Sequence, residues 1–305
     1  STINTVLGPL DTAELGFTLP HEHVVVTSAG IPQVFPEFVD REASIDRAIA
    51  DLKQAYADGV RTIVDLTTFD LGRDVRLLEQ VSRDSGVQII CATGTWRDIP
   101  RVFWSATPEV IAPLYVREIE EGIEGTGIRA AIIKVANTGG VTPESEVVLR
   151  AAARAQKATG VPISTHTFAQ EVGLEQVRIF EDEGVNLGRV YIGHSNDSTD
   201  EDYLLALLDK GVWLGLDRYG HPGTPIWEER TEILNKLIDR GYADRIMLSH
   251  DGVTMGTFST KARLDYNPDG YSFIPRRVLS RLRELGVTED TINRMVVENP
   301  QRFLE

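Results

Sequence analysis

Six times along this chain of 305 residues, an amphipathic stretch ends in glycine and a short apolar run follows at once. The junctions are Gly59-Val60, Gly86-Val87, Gly160-Val161, Gly184-Val185, Gly211-Val212 and Gly241-Tyr242. Glycine just past a helix end takes the left-handed conformation that a Cβ resists. The runs that follow, residues 62–66, 88–93, 162–165, 190–193, 212–216 and 245–248, are almost continuously apolar. Parallel strands covered on both faces read this way. Residues 17–21 and 130–134 bring the count of such runs to eight.

The intervening stretches carry the complementary period. Ile45, Ala48, Ile49, Leu52, Ala55 and Tyr56 recur at helical spacing, as do Leu204, Leu207 and Leu208, then Ile233, Leu234, Leu237 and Ile238. Thr107-Pro108 and Thr142-Pro143 read as helix starts, and Ser198-x-x-Glu201 has the form of a capping box. No linker or low-complexity tract interrupts the alternation. The pattern predicts a (β/α)8 TIM barrel, one domain over residues 1–305. The glycine fingerprints of dinucleotide and phosphate loops are missing, which argues against an open doubly wound sheet.

Acidic residues outnumber basic ones 46 to 31, a formal charge of −15. Such a field disfavours nucleic acid and anionic membrane as partners. No run reaches the length of a bilayer span. The single cysteine, Cys91, sits in an apolar run and reads as a buried core residue in a reducing compartment. A cytoplasmic location is therefore expected, with a removed export leader as the alternative.

Chemistry collects where the runs end. His21 and His23 flank Glu22 at the end of the first run; alternate strand residues share a face, so the two imidazoles converge. Lys134 ends the fourth run, His166 the fifth, His194 the sixth, and His250-Asp251 the eighth. The C-terminal ends of barrel strands surround the catalytic mouth. Taken singly, a histidine there is more often structural and a lysine more often a surface residue. Taken together, imidazoles and a carboxylate on one rim suit a divalent metal centre.

The chain resembles the phosphotriesterase family of the amidohydrolase superfamily, which includes the phosphotriesterase-like lactonases. The likeness runs through Pro20-His21-Glu22-His23, Gly59-Val60-Arg61-Thr62-Ile63-Val64-Asp65, Gly127-Ile128-Arg129-Ala130-Ala131-Ile132-Ile133-Lys134, Thr159-Gly160-Val161-Pro162-Ile163-Ser164-Thr165-His166-Thr167, Ile192-Gly193-His194, Leu214-Gly215-Leu216-Asp217 and Asn299-Pro300. It implies a binuclear centre. His21, His23 and Asp251 hold the more buried ion, His166 and His194 the more exposed one, and Lys134, carbamylated by carbon dioxide, bridges them. Zinc is the default metal, with cobalt, manganese or iron as alternatives. The resemblance further implies a bridging hydroxide as nucleophile, Asp251 and Lys134 as catalytic residues, and a homodimer.

The substrate motifs point two ways. Thr93-Gly94-Thr95-Trp96, Asn267-Pro268-Asp269-Gly270 and Phe273-Ile274-Pro275 look triesterase-like. Asp217-Arg218-Tyr219-Gly220, Ser249-His250-Asp251 and the short segment from Asp217 to Glu228 look lactonase-like. Expected substrate-pocket residues are Trp96, Arg218, Tyr219, His221, Leu71, Val253, Met255 and Phe258, with Met255 and Phe258 as an apolar lid. Core packing for Trp96 and a surface position for His221 are the competing readings. With no basic pocket cluster visible in the sequence, a neutral, fairly apolar small-molecule ester is the expected substrate. The leading expectation is a hydrolase that opens acyl-homoserine or aliphatic lactones and also cleaves organophosphate triesters. A phosphotriesterase proper, or a non-catalytic metal-binding barrel serving as receptor or scaffold, are the alternatives.

Overall fold

The computed structural model describes residues 1–168 and 171–305. Eight parallel strands follow one another around a single sheet in sequence order: β1 (Phe17–Glu22), β2 (Val60–Asp65), β3 (Gln88–Gly94), β4 (Ile132–Thr138), β5 (Ile163–Phe168), β6 (Val190–Ile192), β7 (Trp213–Leu216) and β8 (Ile246–Leu248). Between them lie the helices α1 (Arg41–Ala57), α2 (Val75–Ser85), α3 (Pro108–Glu120), α4 (Pro143–Thr159), α5 (Val172–Asp182), α6 (Glu201–Asp209) and α7 (Trp227–Asp239). This is the (β/α)8 barrel expected from the alternation. All six glycines at the junctions adopt positive φ, between 74° and 104°.

Two apolar cores hold the barrel. One lies between strands and helices and includes Ile63, Ile89, Ile133 and Ile163 against Leu52, Leu78, Leu149 and Phe180. The other fills the interior with Val64, Ile90, Ile132, Tyr191, Trp213 and Met247. Phe303, from the C-terminal helix Asn299–Leu304, packs its ring 5.8 Å from Tyr191 and 6.1 Å from Trp213. With these side chains filling the lower interior, polar groups gather at the upper rim.

The seam between β8 and β1 closes past the last regular strand bond. Asp251 N donates to His21 O at 3.0 Å, His23 N donates to Gly252 O at 2.8 Å, and His21 N donates to Ser249 Oγ at 3.0 Å. The segment 249–252 is thereby fixed against the end of β1. One expectation about local caps fails. Helix α6 is capped by Asp200, whose carboxylate accepts from Asp202 N and Tyr203 N, so Ser198 lies outside its first turn. Among the described residues, no helix is long and apolar enough to cross a membrane.

Candidate metal centre

At the C-terminal rim, His21, His23, Lys134, His166, His194 and Asp251 converge from β1, β4, β5 and the segments after β6 and β8. Three of the imidazoles are tied down through Nδ1. His21 Nδ1 lies 2.7 Å from Asp217 Oδ2, His194 Nδ1 lies 2.7 Å from Asp217 Oδ1, and His23 Nδ1 lies 2.8 Å from Thr67 Oγ1. Their Nε2 atoms face inward. His21 Nε2 stands 2.8 Å from Lys134 Nζ and 3.5 Å from Asp251 Oδ1, and His23 Nε2 stands 3.2 Å from the same oxygen. His194 Nε2 lies 2.9 Å from His166 Nδ1 and 3.8 Å from Asp251 Oδ2.

Burial works against positive charge at three of these groups. It pulls the His21 imidazole down to about 3, helped by the neighbouring Lys134, and holds His166 well below its usual value. It also pulls the Lys134 ammonium down to about 8, against the attraction of Asp251 and Asp217. Burial works to raise Asp251, but the charges of His194 and Arg218 and a bond from His23 outweigh it and keep this carboxyl ionised. Imidazoles fixed through Nδ1 by carboxylate or hydroxyl partners, with their Nε2 atoms around one carboxylate, are a cation-ligand set. His166 adds a buried Nε2 with no hydrogen-bond partner among the described residues. The residues fit a metal centre. His21, His23 and Asp251 form one group of closely spaced donors; His21, His194 and Asp217 form another, held together by hydrogen bonds.

The backbone pays a conformational penalty to aim these side chains. His194 and Asp251 take left-handed φ values of 58° and 49°, which cost non-glycine residues free energy and persist where surrounding contacts enforce them. Glu22, between the two histidines but on the other face of the strand, is fully buried. Its carboxylate accepts from Ser249 Oγ at 2.8 Å, His250 N at 3.0 Å and Gly252 N at 2.7 Å, so it grips the segment that carries Asp251.

A cavity of about 360 Å³ opens above the cluster. Leu71, Trp96, Arg218, His221, Val253 and Phe258 line it. The Trp96 ring sits edge-on, 5.8 Å from the His166 ring and 5.9 Å from that of Phe258. Two expected pocket residues lie elsewhere. Tyr219 is fully buried with its hydroxyl 3.3 Å from Thr231 Oγ1, because the residue after Arg218 points to the opposite side of the chain. Met255 pairs with Val25 in a two-residue parallel ladder and does not line the cavity.

Sequence reasoning also left out several residues. Asp217, Thr67, Asp197, Arg97 and Arg263 stand at or beside the site with no sequence pattern that assigns them a role there. Asp217 and Thr67 were accessible in principle, as polar residues at or just past strand ends. Arg263 comes from helix α8 (Lys261–Tyr266), which no strand period places. The absence of a basic cluster is overturned, since Arg97, Arg218 and Arg263 all reach the cavity wall.

A model of the phosphotriesterase family matches residues 1–304. The chain is similar to a phosphotriesterase homology protein of Mycobacterium tuberculosis, 41% identical over 317 residues that cover 99% of this chain and 97% of the relative. It is 38% identical over 303 residues to an aryldialkylphosphatase of Saccharolobus solfataricus, covering 96% of each. A solved structure of the phosphotriesterase from Mycobacterium tuberculosis superposes with a TM-score of 0.95 at 41% identity, covering 100% of this chain and 98% of that one.

Proposed function

The chain belongs to the phosphotriesterase family and is a metal-dependent hydrolase, and we propose that its main reaction is the opening of lactones, with organophosphate triesters as secondary substrates. His21, His23 and Asp251 would hold one divalent ion, and His166 and His194 a second. Lys134 would join them as a carbamate, formed if its neutral amine adds to carbon dioxide and releases a proton. Zinc is the first choice of metal. When bound, the two ions supply Lewis acidity and a nucleophile active at neutral pH.

The chain's own residues do the rest. Trp96, Leu71 and Phe258 give the cavity its apolar walls and exclude water around the bound acyl group. Asp251 stays ionised on the cavity wall, so its carboxylate would accept the proton released on attack. Arg218 Nε lies 3.1 Å from Asp251 Oδ2, and Arg218 Nη1 lies 3.7 Å from Asp197 Oδ2. That chain of charges holds Asp251 in place and leads outward from the centre. The observation that carries the lactone reading is the lactonase-like run Asp217-Arg218-Tyr219-Gly220, which sets Arg218 on the cavity wall. A guanidinium on the cavity wall beside Asp251 suits the oxyanion of a carboxyl adduct and the alkoxide that leaves with it.

The test compares kcat/KM of the zinc-loaded enzyme for an acyl-homoserine or aliphatic lactone with that for paraoxon. Lactone turnover in excess supports the proposal. Triester turnover higher by orders of magnitude would make aryldialkylphosphatase the main activity. A homodimer belongs to the same proposal, and the exposed apolar side chains of Phe38, Val102 and Trp104 suit a subunit contact; light scattering decides it.

A further inference from the structure

Among the described residues, three guanidinium groups reach the cavity, but only one has a carboxylate partner. Arg218 is paired with Asp251 and Asp197. Among the described residues, neither Arg97 nor Arg263 has a carboxylate within ion-pair distance. Arg97 lies over the Trp96 ring, 4.8 Å from its centre, and is otherwise exposed. Arg263 is more deeply set. Its Nη2 meets the Asp251 carbonyl oxygen and stands 2.7 Å from His221 Nε2. The His221 contact satisfies nothing if that nitrogen donates to the His250 carbonyl 2.7 Å away, since one ring nitrogen cannot donate there and accept from arginine. Burial already pulls Arg263 below its ordinary value, yet a guanidinium stays charged in a protein. A cation held largely out of water with no carboxylate in direct contact is costly, and a ligand anion lowers that cost.

We propose that the cavity takes a substrate carrying its own carboxylate or similar oxyanion, which Arg263 and Arg97 hold while the scissile carbonyl lies at the metal centre. This rests on the lactone reading and deepens it. The chain carries an excess of 15 negative charges, so this cationic wall is a local departure from the surface at large. Guanidinium is suited to the role because its fork of donors matches two carboxylate oxygens at once. The Trp96 ring under Arg97 and Phe258 beside it leave room for a short apolar linker between the carbonyl and the anion.

The experiment uses the zinc-loaded full chain with two matched lactones, 5-oxotetrahydrofuran-2-carboxylate and its methyl ester. The expected result is a preference for the acid of about tenfold or more in kcat/KM, expressed mainly in KM. Arg263→Gln and Arg97→Gln should each shrink that preference severalfold, and Arg263→Lys should retain part of it. Arg294→Gln, which removes the same charge from the distant surface, should leave the preference intact. Arg97 is exposed, so its variant carries the test even if Arg263→Gln fails to fold. Equal or better turnover of the methyl ester, or a preference indifferent to both arginines, overturns the proposal. If neither lactone is cleaved, the lactone reading fails, and calorimetry with glutarate against dimethyl glutarate then judges the anion site alone. Glutarate binding that weakens in both glutamine variants sustains the site; no binding, or binding indifferent to them, overturns it.

Discussion

Asp217 Oδ2 lies 2.7 Å from His21 Nδ1, so a carboxylate just past β7 sets the imidazole at the end of β1. Its other oxygen does the same for His194 at 2.7 Å, and the Tyr191 hydroxyl donates to Oδ2 at 2.9 Å. Burial works to raise this carboxyl, but the attraction and hydrogen bonds of His21 and His194 outweigh it and hold it well below the usual range. Asp217→Asn offers one acceptor where two rings each need one. Metal affinity should fall by about 10- to 100-fold. Competition with a chromophoric chelator measures this, and unaltered affinity would refute the orienting role.

Gly193 has no room for a side chain. An ideal Cβ would lie 2.1 Å from Thr165 O, 3.1 Å from Asp217 Oδ2 and 3.1 Å from His21 Nδ1. Alanine there must push either the β5 backbone or the Asp217–His21 pair aside. Gly193→Ala should cost about 1–3 kcal/mol in urea unfolding of the metal-free protein and should also weaken metal binding. A variant with wild-type unfolding and metal content would show that the rim yields more easily than its packing implies.

Lys134 is one of the largest fully buried side chains, with its Nζ beside His21 Nε2. As the bridging ligand proposed above, it would be needed by both ions. Lys134→Ala should lower hydrolysis by about a hundredfold or more and reduce the metal bound per chain. Elemental analysis after reconstitution with and without bicarbonate provides the check. Reconstitution indifferent to bicarbonate in the wild type would remove the carbamate from the account.

The barrel was legible because each strand–helix unit repeats one local rule. Glycine ends a helix and an apolar run begins a strand, and no long-range information is needed to see it. The candidate metal ligands were legible for the same reason, since each stands at or just past the end of such a run. What sequence could not supply was the direction of side chains in loops. Tyr219 and Arg218 are neighbours, yet one lies buried against Thr231 and the other faces the cavity. Met255 looked like a lid residue but joins a short ladder with Val25. Arg263 lies beyond β8 in an irregular segment, where periodicity says nothing about what reaches the mouth.

Cys91 illustrates how burial becomes pH dependence. Its thiol is fully buried, and desolvation pushes it from 9.0 up to about 12. A native state that keeps its proton while the unfolded chain loses it is destabilised as pH rises. This contribution is therefore complete below about pH 9 and declines between pH 9 and 12, by up to about 4 kcal/mol in total. Tyr203, raised to about 12, adds to the same trend. Urea unfolding of the metal-free protein between pH 8 and 11 should show falling stability, less steep in Cys91→Ala. A thiol that reacts readily with an aromatic disulfide in the native protein at pH 8 would contradict the buried assignment.

Glu22 links the histidine pair to Asp251 without joining the proposed ligand set. The intervening residue of a His-x-His strand faces away from the histidines, and here it faces the seam where β8 gives way to the segment 249–252. Both of its oxygens are used, Oε1 by Ser249 Oγ and the His250 backbone and ring, Oε2 by Gly252 N. His250 Nε2 in turn accepts from Ile274 N at 3.0 Å, which ties the same segment to the helix behind it. Removing the carboxylate leaves several buried donors without an acceptor and releases Asp251 from its left-handed conformation. Glu22→Ala should therefore cost about 3 kcal/mol or more in stability. It should also weaken the ion shared by His21, His23 and Asp251 more than the one at His166 and His194. Glu22→Gln keeps one acceptor but points an amide N–H at a neighbouring donor, so it should fall between wild type and alanine. Stepwise zinc titration followed by unfolding of the metal-free variants separates the two effects. Loss of stability with both ions bound as in the wild type would confine Glu22 to the seam and deny it a part in placing Asp251.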